Sequence, residues 1–244
     1  MKGTGARSAL VGVEGNRTGL QTSPELAREL IEGAAAATPS SEGGPEEIAG
    51  SRGEYIKEGF PIGSQPSLPA AQEAKADEEV AGMAMLLDKL SERLAFERMG
   101  TRLYDALINK CETLGESSPG PTLAELQQIR DEELNHFLIL KRAITELGGD
   151  PTVQSPCADI AGVASLGILQ VLTDPRTSVT QCLQAMLTAE LTDNDGWRML
   201  INLSHTLGYA EMVNDFQGAL ENEEEHLENV RAWLSDRVLE KAQA

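Results

Sequence analysis

The sequence predicts an all-α fold: a four-helix bundle with one long crossover, preceded by a low-complexity N-terminal tail. Three observations carry that expectation. From Glu78 onward apolar residues recur at helical spacing with almost no strand signal, and they do so in four long stretches. Two short connections flank one long one. Helices joined by short loops pack antiparallel, while a long middle connection lets the third helix start at the same end as the second. Finally, residues 1–76 are crowded with Gly, Pro, Ser and Ala and hold too few large apolar groups to offset the entropy of ordering a core of their own. The tail is therefore set at 1–76 and the bundle at 77–244.

Within the tail, Ser23-Pro24-Glu25 combines a cap, a proline suited to the first helical position and an acidic first turn, so it predicts a short helix through LARELIEGAAAA. The cluster from Tyr55 to Gly63 is the tail's only apolar group and reads as a clip on the folded domain. The first bundle helix runs from about Glu78 to Leu114 and closes at Gly115. The second follows Pro121, with Thr122 as cap and Glu125 completing a capping box, and stops at Gly148-Gly149. Asp150 to Arg176 form the crossover, with a short helix in GVASLGILQVL. The third helix spans about Thr177 to Leu207, ending at Gly208, and the fourth continues to about Lys241.

Composition excludes several function classes. Among 244 residues, 20 Lys and Arg face 39 Asp and Glu, a net charge of −19, which leaves little to neutralise phosphates; no nucleic-acid partner is expected. No apolar run reaches the ~20 residues of a bilayer span, and the first residues lack an apolar signal core, so no membrane association is expected. Cys111, Cys157 and Cys182 fit neither a disulfide framework nor a CxxC knuckle, which points to a reducing, cytoplasmic setting.

The bundle contains an internal repeat. A shift of 93 residues lays Glu97, Tyr104, Leu107-Ile108-Asn109 and Thr113-Leu114-Gly115 over Glu190, Trp197, Leu200-Ile201-Asn202 and Thr206-Leu207-Gly208. A weaker match at a shift of 90 lays Glu133 and His136 over Glu223 and His226. Each half is thus a helix with one glutamate followed by a helix with ExxH.

These residues lie on the apolar seams. The first helix reads Leu90, Leu94, Glu97, Thr101, Tyr104, Ile108, Cys111; the second, Leu126, Ile129, Glu133, His136, Leu140, Ile144, Leu147. The third reads Val179, Leu183, Met186, Glu190, Asp193, Trp197, Leu200, and the fourth Phe216, Leu220, Glu223, His226, Val230, Trp233. Four carboxylates converging in a core would each cost several kcal/mol of desolvation, so they must protonate, pair with cations or bind metal. No Lys or Arg stands on the seams at these levels. Two divalent ions balance Glu97, Glu133, Glu190 and Glu223, and His136 and His226 add one nitrogen to each. Oxygen-rich ligation with one imidazole per ion suits iron, or alternatively manganese, better than structural zinc.

On these residues the sequence resembles the ferritin-like superfamily of di-iron carboxylate bundles, a rubrerythrin- or bacterioferritin-like domain without a rubredoxin module, over about residues 78 to 241. The resemblance implies Glu97 and Glu190 as terminal ligands, Glu133 and Glu223 as bridges, and His136 and His226 as ligands of one ion each, with two iron ions or, alternatively, two manganese ions as cofactor. It further implies an oxidoreductase acting on dioxygen or hydrogen peroxide in oxidative-stress protection, of peroxidase, oxidase or ferroxidase type, with an external electron donor and a homo-oligomeric state. The alternatives are iron oxidation and storage or delivery, and a di-manganese catalase-like activity. Asp193 is a candidate acceptor for an imidazole N–H or an extra ligand, with Gly100 as its counterpart, and Tyr104 is a candidate support beside the ligands. Trp197 reads as core packing, and His205, near a helix C-terminus, has no expected ligand role.

Overall fold

The computed structural model describes residues 24–37, 44–59, 77–115 and 119–243. Two compact units divide the chain, Met1–Phe60 and Pro61–Ala244. The first contains α1 (Pro24–Ala36) and α2 (Pro45–Glu58). Helix α1 starts at its proline as its Ser-Pro-Glu signal predicts. Helix α2 has no counterpart in the expected elements, yet its start is of the same kind: Pro45 is followed by Glu46 and Glu47, and the Glu47 carboxylate accepts from the Gly44 N–H at 3.1 Å. No residue of α2 is buried, and Tyr55 is 80% exposed. The rest of the predicted clip, residues 60–63, lies outside the described residues.

The second unit is built from α3 (Asp77–Leu114), α4 (Leu123–Glu146), α5 (Pro156–Thr173), α6 (Val179–Thr206) and α7 (Ala210–Gln243). Among the described residues there is no strand. The capping box at Thr122 and Glu125 forms, with the threonine hydroxyl accepting from the Glu125 N–H at 3.2 Å, and Ser178 and Gln181 repeat it at the start of α6. Gly115 and Gly208, equivalent in the repeat, both close their helices at positive φ, 64° and 84°.

Cross-contacts give the directions. Gly82 on α3 faces Leu207 at the end of α6, Arg142 on α4 pairs with Asp215 on α7, and Arg198 on α6 pairs with Glu224 on α7. Each of these neighbours is therefore antiparallel, and α4 and α6 run the same way, as the crossover requires. Helix α5 fills that crossover and packs along α3 and α6. Its start is tied to α3 by the Asp88 carboxylate, which accepts from the Cys157 N–H at 3.0 Å, and its far end by Lys110, which donates to the Asp174 carbonyl at 2.6 Å. Among the described residues α5 is the one helix long and apolar enough to cross a membrane, with mean hydropathy 1.4 over 18 residues. In the fold it buries Ala158, Ser165 and Leu172 and exposes Ile160, Val163 and Leu166.

The seams predicted on α4 and α6 are buried throughout; on α3 and α7 only Thr101, Ile108 and Leu220 are half-buried. The apolar core nevertheless falls into two clusters. One gathers Leu86, Leu90, Leu140, Ile144, Trp197 and Phe216; the other gathers Leu103, Leu107, Leu126, Met186, Val230 and Trp233. Between them lies a layer of polar side chains.

Candidate metal centre

That layer contains all six residues singled out on the seams. Glu97, Glu133, His136, Glu190, Glu223 and His226 are at most 2% exposed. Their ligand-capable atoms fall into overlapping groups, each within 4.8 Å: Glu133, Glu190, Glu223 and His226; Glu97, His136 and Glu223; and Glu97, Glu133, Asp193 and Glu223. Glu223 belongs to all three and lies between the imidazoles, with Oε1 at 2.7 Å from His136 Nδ1 and Oε2 at 3.3 Å from His226 Nδ1. Both rings thus turn Nδ1 inward.

Their outer nitrogens are held by residues outside the seams. His226 Nε2 lies 2.8 Å from Glu132 Oε2 on α4, and His136 Nε2 lies 3.5 Å from Asn222 Oδ1 on α7. An N–H fixed on Nε2 leaves Nδ1 free to act as donor atom. The aromatic neighbours obey the same pseudo-twofold: Tyr104 meets the His226 ring edge-on at 6.4 Å and Trp197 meets the His136 ring edge-on at 5.6 Å. The Tyr104 hydroxyl also donates a short hydrogen bond to Glu190, so it holds a candidate ligand directly. Asn194 donates to the carbonyls of Glu190, at 3.1 Å, and Glu223, at 2.8 Å, fastening α6 to α7 at this level.

The seams themselves carry no Lys or Arg, but Arg93, from beside the α3 seam, brings a cation to this layer. It is 3% exposed, lies 2.7 Å from Asp193 and 3.4 Å from Glu97, and stacks over Phe96 at 4.4 Å. Its room comes from Gly196, where any Cβ would strike the guanidinium. Asp193, considered as an acceptor for an imidazole N–H, instead faces Arg93. The pair adds one positive and one negative charge, so the balance of two divalent ions against the four glutamates is unchanged. Gly100, opposite Asp193 in the repeat, leaves the space that the Glu133 carboxylate occupies. His205 is exposed and Cys157 is only half-buried; neither joins the cluster.

Beyond the Arg93–Asp193 pair, protons share the charge of the layer. Burial, reinforced by Glu223, raises the Glu190 carboxyl to about 8, and burial with the surrounding carboxylates raises Glu133 well above its usual range. Burial alone would lower both histidines, but contact with Glu223, joined at His136 by Glu97, outweighs it and lifts His136 to about 10 and His226 to about 9. Burial would raise Glu223, and the two imidazoles instead hold it down to about 2.

Glu97 Oε2, Glu133 Oε2, Glu190 Oε2, both Glu223 oxygens and both His Nδ1 atoms are buried without an aligned hydrogen bond. Buried polar atoms normally have partners. Four carboxylates and two inward-facing nitrogens are a donor set that fits a pair of transition-metal ions. Comparison with known families matches residues 122–238 to the Ferritin family, described as a ferritin-like domain, a stretch that runs from the cap of α4 into α7. No curated protein and no solved structure gives a significant match. The helical bundle, its crossover and this matched region together support membership of the ferritin-like superfamily.

Proposed function

We propose that the bundle binds two transition-metal ions, iron in its working state, and carries out oxidation and reduction with dioxygen or hydrogen peroxide. The observation behind this reading is the set of seven buried donor atoms, drawn from all six seam residues, that lack aligned hydrogen bonds. Glu97 and His136 would hold one ion, Glu190 and His226 the other, and Glu133 and Glu223 would bridge them. Bound iron supplies redox electrons and polarises an oxygen species. The chain's own residues supply the surroundings: Tyr104 orients Glu190, Glu132 and Asn222 orient the imidazoles, and the two apolar clusters exclude bulk water. The sequence has no pair of CxxC motifs, so electrons would arrive from an external donor.

The test is metal content and turnover of protein purified from its native host. Two ions per chain, with consumption of peroxide or dioxygen, is the expected result. Glu97→Ala and Glu190→Ala should each lower metal content, while Glu112→Ala, on the exposed side of α3, should not. A stoichiometry of one or none, or seam variants that retain both ions, would overturn the reading. Two manganese ions with peroxide disproportionation would assign the catalase-like alternative, and a cage-sized particle that accumulates iron would assign storage.

A further inference from the structure

The repeat invites the expectation that the two metal positions are equal, yet their surroundings differ in two respects. Under the shift of 90 residues Glu132 corresponds to Asn222. The outer nitrogen of His226 therefore meets a carboxylate at 2.8 Å, whereas that of His136 meets an amide oxygen at 3.5 Å. A charged acceptor at short range makes the opposite ring nitrogen a stronger donor than a neutral one at long range, because it stabilises the positive charge the ring gains on ligation.

The second difference lies on α3. Arg93 corresponds under the shift of 93 to Met186, an apolar core residue. Glu97 Oε1 thus lies 3.4 Å from a buried guanidinium, while Glu190 Oε1 accepts only from the neutral Tyr104 hydroxyl. An ion at Glu97 must compete with a fixed cation for the same carboxylate, in surroundings where charges are weakly screened. Both differences have the same sign.

We propose that the two positions are inequivalent, the Glu190–His226 position binding its ion more tightly than the Glu97–His136 position, with Glu132 strengthening the first and Arg93 weakening the second. Loading is then sequential, and a half-loaded form carries its ion at Glu190 and His226. This inference rests on the di-metal reading above.

Calorimetric titration of the metal-free full chain with Co(II) tests it. The wild type should take up two ions in resolved steps. Glu132→Gln should weaken the tighter step by about tenfold or more, the usual effect of altering a ligand's hydrogen-bond partner, and leave the weaker step in place. Asn222→Asp, which gives His136 the partner that His226 has, should tighten the weaker step. Glu132 is partly exposed and both replacements are near-isosteric, and loss of packing would not shift the two steps in opposite directions. Two ions taken up with one affinity, or substitutions that move the other step or neither, overturn the inequivalence and leave the di-metal reading intact. Failure of the wild type to take up two ions overturns both.

Discussion

At the scale of single residues, the buried layer depends as much on side chains that are absent as on those present. Gly100 leaves room for the Glu133 carboxylate, so Gly100→Ala should displace that group. Helix propensity gained on replacing a mid-helix glycine, roughly 0.5–1 kcal/mol, offsets much of a crowding cost of about 1–3 kcal/mol. The variant should therefore melt close to the parent when both are metal-free yet bind less metal, which elemental analysis with calorimetry can read. Proton occupancy gives a second expectation. In the unfolded chain the Glu190 carboxyl ionises near its ordinary 4.5 and the two imidazoles lose protons near 6.5; in the metal-free fold they hold on to about 8, 9 and 10. Between these limits the unfolded state binds fewer protons, so stability must fall as pH rises. Metal-free protein should melt lower at pH 8.5 than at pH 6, and a flat or rising trend would contradict the proton-sharing layer. Glu223 acts in the opposite sense, but only between its ordinary 4.5 and about 2. The six seam positions were legible because a charged residue on an apolar stripe contradicts its neighbours. Arg93 was not, since it sits at the edge of the stripe; its signals were a spacing of four from Glu97 and a glycine at 196. Glu132 and Asn222 precede the seam glutamates and reach the histidines across a helix gap that periodicity does not describe.

At the scale of elements, ends were easier to foresee than faces. Thr122 and Glu125 satisfy one another's backbone N–H groups, and the helix begins where that pair places it. Thr122→Ala should cost about 1 kcal/mol. A fall in melting temperature of roughly 2–4 °C would match that cost in a chain of this size, and scanning calorimetry checks it. Helix α5 shows the opposite case. Its presence was legible from GVASLGILQVL, but its start at Pro156, behind the Ser155 cap, and its outward row of Ile160, Val163 and Leu166 were not, because a helix that packs along two others with one side leaves no polar stripe to read. Helix α2 went unforeseen for a compositional reason: the glycines and serines around it masked a start of proline followed by two glutamates.

At the scale of the whole molecule, residues 1–76 contain no His or Cys, and the seam residues all fall within Pro61–Ala244. A chain lacking residues 1–76 should keep its full metal content, measured per folded chain; loss of both ions would show that the N-terminal segment helps to build the site. The bundle's overall plan was legible because four long periodic stretches and one long connection admit few arrangements. The division of its core into two apolar clusters was implicit in the same pattern, since four mid-helix carboxylates must meet at one level. That division bears on how long the protein survives in a cell. A bundle whose middle resists dehydration is less stable when empty, and ions bound only by the folded form add stability in proportion to the logarithm of their free concentration. Proteases clear chains according to how often they open. A centre of this kind would therefore tie the protein's abundance to the supply of its metal, with starvation shortening its half-life and no separate sensor required.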